Sequence, residues 1–192
     1  DLPTHRRIAK AGLALLSLKE LEYLNVAYSD TLAQRLTRLT DRLLCPLEED
    51  YLGQAQTGAV VPRVKSLRMK IMPEMVKGDL NESERARRWR QLADLYLAQQ
   101  VSNYPPDYLK KLSVDRLLET IERFEEDLTD AIRVHGHLKV VIQVGPPIEV
   151  SPKRDRTAEV DPLMSRIEFE LQGMLDKLAL ESQMYEPQAD SR

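Results

Sequence analysis

Glycine and aromatic side chains are both scarce in this 192-residue chain, with seven glycines and 5% aromatics. That scarcity, beside abundant Leu, Glu and Arg, disfavours turn-rich all-β folds and favours helix. Cysteine occurs once, at Cys45, which excludes an intrachain disulfide and fits a reducing, cytoplasmic compartment. No apolar run approaches the ~20 residues that span a bilayer, and no signal-peptide pattern opens the sequence. Excess charge is missing too. Twenty-eight Lys and Arg against 31 Asp and Glu leave a net −3, which gives no footing for a nucleic-acid partner. There is no Gly-rich phosphate loop, no Gly-x-Ser-x-Gly elbow and no Cys-x-x-Cys, so no motif implies a cofactor.

What is present describes an ordinary globular protein: 42% hydrophobic and 31% charged residues, enough for one sizeable core or two small ones. The chain opens on Asp1 rather than methionine, which fits a fragment of a longer protein. Apolar residues recur at helical spacing in six stretches. The first runs from about His5 to Leu24, with Thr4 as N-cap and Ile8, Leu15, Leu18 and Leu21 on its stripe. The second starts near Ser29 or Asp30, carries Leu32, Leu36, Leu39, Leu43 and Leu47, kinks or ends at Pro46 and stops at Gly53. The third, Val61 to Val76, buries Val64, Leu67, Ile71 and Met75. The fourth is opened by Asn81 and Glu84 as a capping box, with Ala86, Trp89, Ala93, Tyr96 and Leu97 facing inward. The fifth, from a Ser113 cap to about Val134, carries Leu117, Leu118, Ile121, Phe124, Leu128 and Ile132, with Gly136 as its stop. The sixth, after Asp161-Pro162, reaches about Ser182 and buries Leu163, Ile167, Leu171, Leu175 and Leu178. No internal repeat stands out.

Between the last two helices lies the one stretch with period 2. Leu138, Val140, Ile142 and Val144 alternate with Lys139, Val141 and Gln143 before Gly145-Pro146-Pro147 ends the pattern. A lone strand leaves its own N–H and C=O groups unsatisfied and needs a partner. The expected fold is therefore mainly α: a bundle of about six helices with one short β element at Leu138–Val150. Residues 1–137 form a helical region, 138–184 the strand and closing helix, and 185–192 a mobile tail.

Candidate sites are few. Arg63, Lys65, Arg68 and Lys70 interleave with Val64, Leu67, Met69, Ile71 and Met72 as a basic amphipathic helix, the pattern of a segment lying on an anionic membrane surface or of an ordinary packed helix with wetted cations. Arg85, Arg87, Arg88 and Arg90 lack the aromatic interleaving of a nucleic-acid site. His135-Gly136-His137 offers two metal ligands without a third, so no metal site is assigned. The acidic run Glu119, Glu122, Glu125, Glu126, Asp127 and Asp130 wraps its helix and is interleaved with Arg116, Arg123 and Arg133, which reads as a salt-bridged solvent face. Cys45 has no histidine near in sequence and reads as a buried thiol rather than a nucleophile.

The stretch VVIQVGPPIEV followed by DPLMSRIEFELQGMLDKLA resembles the end of the phospholipid/glycerol acyltransferase fold, whose late core strand closes on Gly-x-Pro-Ile. Those positions are Gly145, Pro147 and Ile148. HRRIAKAGLALLSLKELEYL, RARRWRQLADLYLAQQVSNYPPDYL and RLLETIERFEEDLTD are similar to the helical C-terminal part of large bacterial proteins of that kind, so the resemblance covers roughly His5 to Ser182. It implies a catalytic domain in the same polypeptide, a lysophospholipid-type acceptor, an acyl-CoA or acyl-carrier-protein donor, and a peripheral position at the inner membrane face. The family's His-x4-Asp is absent: five residues after His5, His135 and His137 stand Lys10, Val140 and Ile142. The Glu-Gly-Thr block is absent as well, so no catalytic residue carries over. On this footing the chain is a non-catalytic helical portion of an acyltransferase-like protein; the alternative is a stand-alone helical interaction module.

Overall fold

The computed structural model describes residues 2–104, 108, 112–137, 139–152 and 160–186. Among these residues six helices form: α1 Thr4–Leu24, α2 Leu32–Leu52, α3 Val60–Lys77, α4 Glu82–Val101, α5 Val114–Thr129 and α6 Pro162–Ala179. The chain divides into two compact units, Asp1–Lys111 and Leu112–Arg192, so α5 groups with α6 and the division falls ahead of residue 137.

In the first unit α1 packs on α2, α2 on α3, and α4 on both α2 and α3. Leu39, Leu44, Leu67, Ile71 and Leu95 are fully buried, with Leu16, Leu43, Leu47, Val64 and Ala98 around them. Each buried Leu, Ile or Val side chain among them stabilises the fold by roughly 1.5–3 kcal/mol. Helix α2 continues past Pro46 to Gly53, which adopts the left-handed conformation and returns its N–H to Glu49. The proline neither ends nor divides the element because tertiary burial of Leu43, Leu44 and Leu47 on both sides of it outweighs one lost hydrogen bond. Capping departs from the sequence expectation in detail. Thr31 and Gln34 form the reciprocal capping box of α2, whereas Asn81 only accepts from the Glu84 N–H, and α1 is capped by Pro3 without a side-chain bond.

The first three helices are an internal repeat with a period of 28 residues, which the sequence reading missed. They start at Thr4, Leu32 and Val60, and α1 and α2 end at Leu24 and Leu52. Glu20, Tyr23, Leu24, Ala27 and Arg35 recur as Glu48, Tyr51, Leu52, Ala55 and Arg63. The structure uses each pair identically. Glu20 takes Arg35 Nε at 3.0 Å and Nη2 at 2.7 Å, and caps the loop at the Tyr28 N–H. Glu48 takes Arg63 Nε at 2.8 Å and Nη2 at 3.0 Å, and caps its loop at the Gln56 N–H. Asn25 and Gly53 are the matching left-handed C-caps, and the Tyr23 and Tyr51 hydroxyls both donate to α4, at Asp94 and Gln91. Burial raises both glutamate carboxyls, yet the arginine and backbone N–H bonds outweigh it and hold them below the usual range.

The second unit is held more loosely. The expected strand does not form: residues 139–150 run without helix, turn or bend, and none of them enters a ladder. Leu138 lies outside the described residues. Among the described residues no neighbouring segment offers this stretch a paired edge; it lies against α6, where a Cβ on Gly145 would meet Met174 Sδ, and Lys139 pairs with Glu181. The β pairing that does occur among the described residues is an antiparallel bridge of Ser113 with Met184, flanked by Val114 N–H to Gln183 O and Tyr185 N–H to Leu112 O, both 2.8 Å. Tyr185 is thus tied down rather than part of a mobile tail; residues 187–192 lie outside the described residues. Helix α5 stops at Thr129 with Asp130 as its left-handed cap, ahead of Gly136. Leu112, Leu117 and Thr120 are buried here, but Leu171 and Leu175, expected inside, are exposed on α6.

Candidate functional surface

Helix α3 sorts its residues by angle. Arg63, Val64, Leu67 and Ile71 turn toward α2 and α4, while Val61, Lys65, Arg68, Met72 and Val76 fall on the outer stripe. Arg63 therefore leaves the set of surface cations: it is buried, bonded to Glu48 and, at 3.1 Å, to Asp41, and these carboxylates hold its guanidinium firmly charged. A buried, paired arginine cannot face a lipid surface. Lys65 and Lys70 are exposed and Arg68 half-buried, and among the described residues none of the three is in an ion pair.

The outer stripe forms one wall of an open groove of about 780 Å³, lined by Val61, Lys65, Arg68, Met72 and Val76 with Gln99 of α4 opposite. Lys65, Arg68 and Gln99 supply its polar part, and the methionines and valines the apolar part. On α4, Gln99 shares a face with Tyr96, Leu92, Trp89 and Arg85 by helical spacing. Trp89 and Tyr96 are exposed, the reverse of the inward face expected for them; the buried side of α4 carries Gln91, Leu95 and Ala98. The reason is polar. Gln91 and Asp94 are needed inside to receive the Tyr51 and Tyr23 hydroxyls, so α4 is turned with its aromatic stripe outward. Arg87 and Arg88 are occupied by Glu84, whose half-buried carboxyl they hold at about 2, whereas Arg85 and Arg90 are in no ion pair among the described residues.

The remaining sequence candidates resolve as structure. His135 hydrogen-bonds Glu125, which also receives Arg133, and Arg123 bonds Glu119. Among the described residues no cluster of His, Cys, Asp or Glu is arranged to hold a metal ion. Cys45 sits 3.6 Å from Arg63 Nη2, and burial together with Asp41 pushes its thiol up, away from the reactive thiolate. Among the described residues no helix is long and apolar enough to cross a membrane.

The chain matches no protein-family model, and no curated protein or solved structure is significantly similar to it. A groove of valines and methionines with free cations offers binding rather than bond-making chemistry. The signal that would have found it was the 28-residue spacing of Glu-x-x-Tyr-Leu and arginine, because the groove lies where that repeat breaks.

Proposed function

We propose that this chain is a non-catalytic helical portion of a phospholipid/glycerol acyltransferase-like protein whose catalytic motifs lie elsewhere in the same polypeptide. The observation that carries the reading is the stretch from Lys139 to Val150. It has the alternation of a strand, it runs without helix, turn or bend, and it has no sheet, leaving Val140, Ile142 and Val144 exposed. That is the state expected of an edge whose partners belong to another domain. The Gly145-Pro146-Pro147-Ile148 ending at the resembling position supports it, as does the apolar surface left open on α6 at Phe169, Leu171 and Leu175. The whole protein would move an acyl chain from acyl-CoA or an acyl-carrier protein to a lysophospholipid-type hydroxyl.

The test is a longer polypeptide that carries the residues encoded upstream, assayed for acyl transfer to a lysophospholipid. Transfer that is lost when Ile142 and Val144 are both replaced by lysine would support the reading. A longer chain with neither His-x4-Asp nor acyl transfer would end it.

A further inference from the structure

We infer that the groove on α3 is the open seat of the helical repeat and takes an acidic amphipathic helix from a partner polypeptide. The inference stands independently of the acyltransferase reading. Three helix surfaces occupy equivalent places in the repeat, and two of them are filled. On α1, Leu16 is 7% exposed and Glu20 0%; on α2, Leu44 and Glu48 are both 0%. At the same places on α3, Met72 is 45% and Val76 78% exposed. Helix α2 brings Arg35 to the first seat and α3 brings Arg63 to the second. The third stays open because the chain leaves it by another route. The loops at 25–31 and 53–59 are replaced after α3 by the shorter 78–81, and α4 packs across α2 and α3 instead of continuing the series.

The open seat has changed sign. Filled seats present a buried glutamate to an incoming arginine. Here the glutamate position is Val76, while Lys65 and Arg68 stand where α1 has Ala9 and Gly12 and α2 has Thr37 and Thr40. Cations on the seat call for carboxylates on the occupant. From Val61 to Val76 the groove runs for about 22 Å at a rise of ~1.5 Å per residue, the length of a helix of roughly 15 residues. Methionines on its wall adapt to varied apolar anchors. Trp89 and Tyr96, exposed on the α4 face that includes Gln99, are side-chain types enriched among the residues that carry binding energy at interfaces.

Trp89 is the only tryptophan and lies on the α4 face that includes Gln99, so its emission is one report of binding and titration calorimetry is the second. The probe is a synthetic peptide of about 15 residues with leucines at i, i+4, i+7 and i+11 flanked by glutamates. Controls are a scrambled peptide of the same composition and a charge-reversed lysine version. The expected result is a saturable blue shift with the acidic peptide alone. K65E/R68E should weaken that peptide by at least about tenfold and gain affinity for the lysine version. Lys65 is exposed and Arg68 half-buried, and an unchanged circular dichroism spectrum and urea midpoint show that the fold is intact. Equal response to the scrambled peptide, or no response to the acidic one, overturns the inference. A blue shift with vesicles containing about one-third phosphatidylglycerol, and none with the peptide, also overturns it and makes the face a membrane-docking surface.

Discussion

Arg63 shows how far burial changes the meaning of a charged residue. In sequence it stands among Lys65, Arg68 and Lys70 as one cation of four; in the fold it is the partner of Glu48 and shares the buried side of α3 with Val64 and Leu67. Removing one member of a buried pair leaves the other charged and unpaired, which costs about 3–5 kcal/mol, whereas replacing both by apolar residues of similar volume costs little. R63M should therefore lower the urea midpoint sharply, and E48M/R63M should recover most of the loss. A cost under ~1 kcal/mol for R63M would show that the clamp is not structural. The same residues set a pH dependence. Glu20 and Glu48 are held below the usual 4.5, so the unfolded chain binds their protons first as pH falls. Their contribution is complete above pH 4.5 and is lost as pH drops through the folded values. Asp94 has the opposite sign: burial raises it, Glu22 adds to this, and the Tyr23 bond only partly offsets it, so its contribution fades as pH rises. Two buried glutamates against one half-buried aspartate predict net acid destabilisation. E20Q and E48Q should each flatten the acid limb of stability against pH, measured by urea unfolding at several pH values, and D94N should steepen it.

At the level of elements, five of the six helix starts were legible to within about two residues, because caps and apolar spacing act locally. What was not legible depended on contacts distant in sequence. The face of α4 looked settled by Trp89 and Tyr96, since hydrophobicity alone turns aromatics inward. The deciding partners were the Tyr23 and Tyr51 hydroxyls, 71 and 40 residues away from Asp94 and Gln91. The strand at 139–150 was legible as a pattern and absent as structure, because a ladder needs a second edge that local sequence does not supply. The repeat escaped notice because it is spelled by few residues: an acid, a tyrosine-leucine pair and an arginine in every 28. Its turns give a clean check. Gly53 has φ +83° and nothing within 4 Å of where a Cβ would sit, so G53A isolates the backbone strain. The expected cost is about 1–2 kcal/mol with no change in the spectroscopic signature of the core. Tyr51→Phe should cost about 1 kcal/mol by leaving Gln91 short of a donor, and G53A/Y51F should be close to additive if the cap and the α4 contact act separately.

For the molecule as a whole, stability is unevenly shared. The first unit has a continuous core through α1 to α4, with Leu39, Leu67, Ile71 and Leu95 out of contact with water. The second has three buried residues among those described, two of them apolar, and α6 buries none fully. Exchange of backbone amides with solvent follows local opening, which is cheapest where few apolar contacts must break. Amides of α2 and α3 should therefore exchange last, on the scale of global unfolding, and those of α6 should exchange orders of magnitude sooner. The bridge of Ser113 with Met184 gives a second level inside that unit: amides of Val114 and Tyr185 bond across it and should outlast those of residues 139–150, which bond to no ladder. Mass-spectrometric hydrogen exchange resolves all three classes. Equal protection of α6 and α2 would mean that the second unit has a core the fold does not show. The acyltransferase proposal expects α6 and residues 139–150 to gain protection when a catalytic domain is attached in the same polypeptide. Protection confined to α3 and the Trp89 face on adding an acidic helix would instead place the partner at the open seat of the repeat.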